Sequence, residues 1–479
     1  MEENYNPYDY EDNDEEDYFH LLIDRFEKML NEQQKAYFDA DEYIDIIDYY
    51  FFQLNYTKTN IAIKYASEQY PQNVLIKLKK AQLFASSNRT DKALTILKEI
   101  ETINPADSDF FLARGAIYSQ LQRYEKAIEE YKKALSEAEA LDEVYINIAF
   151  EYENLAKYDK ALKYLKKALV INSENDSILF EIAYSYESSN KFNESIAFFK
   201  DFIDNHPYSV NAWFNLGVAY SNIMNYEKAI DSYNYAIAID ETYSSAYFNK
   251  ANALANIEKF QEAINIYRET FLYEDPEAVT YYYIGECFEN LKKYDAAEIN
   301  YRKAIELKND FVDAWLGVGI ARDELGDSES AIKNILKAIE IDSSNPDPWF
   351  VLGDLQLKYG NTEEALHSYE KVSILDPNNE EIWLELSNAY VKKSDYLNAI
   401  KSINEGIKNQ PNNIALQYRL VAYYYQINNK KEAYKLFENL LSKDFQLHSA
   451  LIDYAPELLK VSKFNKLIQK YKKLTNNIN

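Results

Sequence analysis

The 479 residues carry 52 Lys and Arg against 79 Asp and Glu, a net charge of −27 at pH 7. Nucleic acid and anionic membrane surfaces require the opposite sign, so neither is an expected partner, whereas basic partners are attracted. One cysteine excludes an internal disulfide and fits a reducing compartment, and no apolar run approaches the ~20 residues that span a bilayer, so the cytoplasm is the expected setting, without membrane insertion.

Residues 1–17 contain nine acidic groups and no basic one, a run expected to be disordered. They also lack the basic and apolar regions of a secretory signal. Residues 18–39 then place Phe19, Leu22, Ile23, Phe26, Met29 and Leu30 at helical spacing, which predicts an N-terminal capping helix.

From Ala40 to Leu447 the chain repeats every 34 residues without insertion or deletion, twelve units in 408 residues. One column holds Trp213, Tyr247, Tyr281, Trp315, Trp349 and Trp383, which takes in all 4 tryptophans. Gly115, Gly217, Gly285, Gly319 and Gly353 share a second column. A third runs through Ala127, Ala161, Ala229, Ala263, Ala297 and Ala331, and Pro71, Pro105, Pro207, Pro377 and Pro411 fall near the end of the unit. Apolar positions three and four apart predict two amphipathic helices per unit, roughly 210–223 and 226–239 in one example. Small residues let the pair approach, aromatics such as Trp213, Tyr220 and Tyr226 fill the larger spaces, and proline ends the helix. A lone hairpin cannot bury its apolar face, so neighbours must stack.

These columns resemble the tetratricopeptide repeat, over about 85% of the chain (408 of 479 residues). The resemblance implies an all-α fold, a right-handed α-α superhelical solenoid of helix hairpins. The first unit (40–73) is atypical, with Ile47 and Thr59 in the small-residue columns. Residues 448–479 read as a degenerate thirteenth unit whose last helix is made basic by Lys460, Lys463, Lys466, Lys470, Lys472 and Lys473.

No constellation in the sequence points to catalysis. Cys287 shares a column with Ala219, Ala253, Ala321 and Ala389 and reads as a small core residue rather than a nucleophile. His20, His206, His367 and His448 fall in different columns, with no zinc-site spacing and no dyad with Cys287. The expectation is a protein that is not an enzyme, with no cofactor and no metal.

The resemblance further implies that the first helix of each unit lines a concave groove where partners bind. In one unit its inward places are Asn211, Phe214, Asn215, Val218, Ser221 and Asn222. Through twelve units these six columns hold seventeen acids, among them Asp45, Asp48, Glu143, Glu181, Glu187, Glu286, Glu289, Asp323, Glu324, Asp354 and Glu385, opposed only by Lys79, Lys358, Lys392 and Arg419. Two asparagine ladders lie within them: Asn147, Asn215 and Asn249, interrupted by Glu181, and Asn154, Asn222, Asn256 and Asn290, interrupted by Ser188; Asn252 adds another amide. An amide both donates and accepts, so such a ladder can hold an extended backbone; the superhelix of the O-linked N-acetylglucosaminyltransferase is similar in using one. Compositional accident is the competing reading in an asparagine-rich chain. Phe180, Tyr184, Phe214, Phe248, Tyr282 and Tyr283 either anchor a ligand or pack laterally between helices.

Family members that hold acidic chaperone tails do so with a Lys, Asn and Arg clamp on first helices. Phe180, Phe214 and Phe248 stand at the corresponding places and acids surround them, so an acidic chaperone tail is not an expected partner. The resulting expectation is a non-catalytic interaction scaffold whose acidic, Asn-lined groove binds an extended basic or polar peptide segment. The alternative is a structural or assembly factor acting through its ends or convex face, with self-association as one form of it.

Overall fold

Each 34-residue step builds one helical hairpin, and residues 210–239 show why. Ser209 opens the helix Val210–Asn222 by accepting the Ala212 N–H at 3.3 Å. The helix closes where Met224 takes a left-handed φ of 58°. There the Asn225 N–H donates to the Tyr220 carbonyl (3.0 Å) and the Met224 N–H to that of Ser221 (2.9 Å), satisfying two orphan carbonyls. The chain then reverses into Tyr226–Ile239, which packs back on the first helix. The same left-handed turn recurs at every 34-residue step: Leu54, Asn88, Gln122, Ala156, Asn190, Met224, Glu258, Lys292, Gly326, Gly360, Ser394 and Asn428.

Side-chain volume sets how the two helices meet. A Cβ on Gly217 would lie 2.4 Å from Tyr233 Cε1 of the second helix. Gly115 stands in the same relation to Tyr131, Gly285 to Tyr301 and Gly353 to Tyr369. Where the second helix carries the smaller Leu165, the first carries Ala149, both fully buried. The tryptophan column does less filling than expected. Trp213, Trp315 and Trp349 are only half-buried, and each indole N–H donates to a carbonyl six residues earlier, of Pro207 (2.9 Å), Asn309 (2.9 Å) and Ser343 (3.1 Å). At these positions the column staples the first helix to the connection before it. Pro207, Pro377 and Pro411 follow helix C-caps, as expected.

The computed structural model describes residues 11–32, 36–101 and 108–476; Pro105 lies outside them. Within the described residues the chain is helical without strand, an all-α solenoid of stacked hairpins, and it divides into two compact units, residues 1–239 and 240–479. In the first unit the helix Glu11–Glu32 covers the hairpin Ala40–Phe52 and Tyr56–Gln69, burying Leu22, Ile23, Phe26 and Met29 against Ile46, Ile47, Tyr50 and Ile63. Of the expected disordered stretch 1–17, residues 1–10 lie outside the described residues. The rest falls within the helix Glu11–Glu32.

In the second unit the expected degenerate hairpin at 448–479 is broken. Pro456 ends the short helix Ser449–Tyr454, a 3-10 turn follows at Pro456–Lys460, and only Ser462–Asn476 is a full helix. Leu451, Leu458 and Phe464 nonetheless bury themselves against Tyr418, Val421 and Phe437 and close the apolar face.

Candidate functional site

In the first compact unit the face built by the first helices runs over Leu141–Asn154, Asp176–Ser188 and Val210–Asn222. Phe180 and Tyr184 are 39% and 51% exposed. Phe214 sits 6.3 Å from the Phe180 ring and 5.9 Å from Tyr233 and is half-buried, so it packs laterally. Asn154, Glu187 and Asn222 are exposed at the helix ends, and Asn147 and Asn211 are half-buried. Asn215 is different: it is 3% exposed, inside the packing, and its Nδ2 has no partner among the described residues. The first ladder is therefore not presented evenly, because the helix Asp176–Ser188 closes against Val210–Asn222 over that column.

Carboxylates on this face are only partly hydrated. Glu153 accepts the Ser185 hydroxyl at 2.6 Å, and burial, reinforced by the neighbouring Glu181, pushes its pKa up to about 7. Burial raises Glu181 as well, and buried Glu151 likewise despite hydrogen bonds from Ser119 and Asn154. None of these three forms an ion pair among the described residues.

In the second unit, Ser244–Asn256, Phe260–Thr270 and Ala278–Asn290 enclose a concavity of about 420 Å³ lined by Asn252, Asn256, Tyr267, Tyr283, Glu286 and Asn290, with Phe260, Ala255 and Cys287 completing it. The Tyr267 hydroxyl donates to Asn252 Oδ1 (2.5 Å), and Tyr282 to Glu286 Oε1 (2.9 Å). Asn256 and Asn290 donate Nδ2 to their own helix, at the carbonyls of Asn252 and Glu286, both 2.9 Å, which leaves each Oδ1 and a second N–H over. Asn249 does the same to Ser245 (2.9 Å). Phe248 packs edge-on to Tyr267 and Tyr283, and Tyr282 lies 5.1 Å from Phe311, so these rings are lateral packing. Burial raises the pKa values of Glu286 and Glu289. Burial and Glu286 push the Cys287 thiol up to about 12, and it stays protonated at neutral pH. A second concavity, about 410 Å³, joins Asp354, Lys358, Glu381, Glu385 and Lys392 on the same columns.

The four cations on these columns are already engaged. Lys79 pairs with Asp48 (2.6 Å) and Lys358 with Asp323 (2.7 Å); Arg419 bonds Asn388, and Lys392 reaches the Leu357 carbonyl (3.5 Å). Each joins neighbouring first helices. The column pattern alone did not point to the tyrosines of the second helices, which are buried and whose hydroxyls hold first-helix side chains from beneath: Tyr233 at Ser221 (3.2 Å), Tyr267 at Asn252, Tyr301 at Glu289 (2.8 Å) and Tyr369 at Asp354 (2.6 Å). A signal for them exists in the sequence, an acceptor twelve or fifteen residues before each tyrosine of that column.

Stacked hairpins that repeat such a face define a helical-repeat protein. The tetratricopeptide repeat pattern matches residues 108–140, 142–175, 178–209, 210–243, 244–269, 278–311, 312–345 and 350–414, more than half the chain, which therefore belongs to the tetratricopeptide repeat family. Among solved structures, the APC/C hetero-tetramer Cut9–Hcn1 is 16% identical over 85% of this chain and 96% of that one (TM-score 0.41). A tetratricopeptide repeat protein from Parabacteroides merdae is 15% identical over 52% and 98% (TM-score 0.41), and MamA is 26% identical over 34% and 95% (TM-score 0.33). No curated protein matches the sequence. No helix among the described residues is long and apolar enough to cross a membrane.

Proposed function

We propose that the chain is a non-catalytic protein-binding scaffold whose first-helix faces hold an extended basic or polar segment of a partner. The observation that carries this reading is the charge balance of those faces: their cations are spent in lateral contacts, while Glu153, Glu181, Glu286 and Glu289 form no ion pair among the described residues. Exposed Phe180 and Tyr184 supply apolar anchors beside Glu181, and Asn154, Asn222, Asn256 and Asn290 supply amides at the helix ends. Selection from a random peptide library tests the reading. Enrichment of Lys and Arg is expected, weakening with salt and lost in a Glu181/Glu187/Glu286→Gln variant. Enrichment that ignores those three residues would contradict it.

A second reading, self-association through the ends, rests on the exposed lysines of Ser462–Asn476 in a chain of net charge −27. It predicts a mass in sedimentation that rises with concentration and falls when Lys463, Lys466 and Lys473 are changed to Glu. A mass that stays monomeric throughout sets this reading aside.

A further inference from the structure

Resting on the peptide-scaffold reading, we propose that the concavity between Ser244–Asn256, Phe260–Thr270 and Ala278–Asn290 is a subsite for one arginine side chain of the bound segment. Its lining carries no basic group, and its polar atoms are weighted toward acceptors. Glu286 uses Oε1 on the Tyr282 hydroxyl and has no other partner among the described residues for Oε2, while Asn256 and Asn290 keep their Oδ1 atoms. The half-buried Tyr283 ring lines the concavity beside that carboxylate and stands parallel, within 6° at 6.0 Å, to the buried Tyr267 ring. Carboxylate, amide oxygens and the Tyr283 ring together match a guanidinium, which is planar, donates through five N–H groups and stacks on tyrosine. An ammonium would use the charge but neither the fork nor the stacking. A neutral ligand would leave the half-buried Glu286 uncompensated, and an anion would be repelled. The second concavity is a weaker candidate because Lys358 and Lys392 already stand among its acids. Burial, with the nearby Asp313 charge, raises the pKa of Glu286, and a guanidinium beside it would favour its ionised form.

The test uses the full chain and a labelled polar peptide taken from the library selection, synthesised with one central position as Arg, Lys or citrulline, read by fluorescence anisotropy. Citrulline keeps the shape and removes the charge. The wild type is expected to prefer Arg over citrulline by about tenfold, with Lys between them. Glu286→Gln should bring that ratio close to one, and Asn256→Asp, at an exposed position, should enlarge it. Equal binding of Arg and citrulline peptides overturns the subsite, as does a ratio that survives Glu286→Gln and does not respond to Asn256→Asp. If peptides bind but depend only on first-unit residues such as Glu181, the arginine subsite fails and the scaffold reading stands. If no selected peptide binds, both fail.

Discussion

At Gly217 a single missing methyl group sets the distance between two helices. An alanine there would place its Cβ 2.4 Å from Tyr233 Cε1, and the ring is 1% exposed with nowhere to move. Gly217→Ala should therefore destabilise the chain by about 1–3 kcal/mol. Adding Tyr233→Leu recreates the Ala149 and Leu165 pairing and should recover most of that loss in denaturant unfolding. Glu153 provides a residue-scale effect of pH. Its folded pKa of about 7 lies above the usual 4.5, so the native chain takes up this proton first as pH falls. Its contribution favours folding at pH 5 and fades as pH rises through 7. The thermal midpoint of the wild type should accordingly gain between pH 8 and pH 5 relative to Glu153→Gln. A difference between the two proteins that does not change with pH would contradict the assigned environment.

At the scale of the helix, the left-handed turn is the recurring geometry of the repeat and the part the sequence conceals. Apolar spacing placed the helices at 210–223 and 226–239, against Val210–Asn222 and Tyr226–Ile239 observed. The turn residue between them is Met, Glu, Lys, Leu or Ala as readily as Gly or Asn, because two backbone hydrogen bonds and the packing of both helices hold it. That tolerance has a cost. Gly326, at φ 84° with open space for 4 Å around the place a Cβ would take, should lose about 1 kcal/mol on change to Ala purely through the backbone. Glu258→Gly should raise the unfolding midpoint by less, since the freer unfolded chain offsets part of the relief. The face was legible only in outline. Column positions predicted its acids and the exposed Asn154, Asn222, Asn256 and Asn290, but not that Asn215 is enclosed. For Phe214, Phe248 and Tyr282 they left ligand anchoring and lateral packing open, and neighbouring rings take all three up. Those outcomes depend on the spacing between adjacent first helices, which a single repeat does not encode.

In a chain of net charge −27, the four cations on the six first-helix columns bridge neighbouring first helices, two of them taking up Asp48 and Asp323, while Glu153, Glu181, Glu286 and Glu289 form no ion pair among the described residues. This is the basis for proposing a basic extended ligand. It also predicts that affinity falls steeply with ionic strength, since the attraction is screened over about 10 Å at 0.1 M salt. Partial neutralisation of Glu153 adds that binding next to it weakens as pH drops from 8 to 6. The most direct measurement is the location of a bound peptide. A library-selected basic peptide carrying a photo-crosslinker should, after irradiation and peptide mapping, attach to first-helix residues such as Phe180, Tyr184, Asn256 and Asn290. Attachment concentrated instead on outward residues of the second helices, such as Lys163 or Tyr235, would contradict the account.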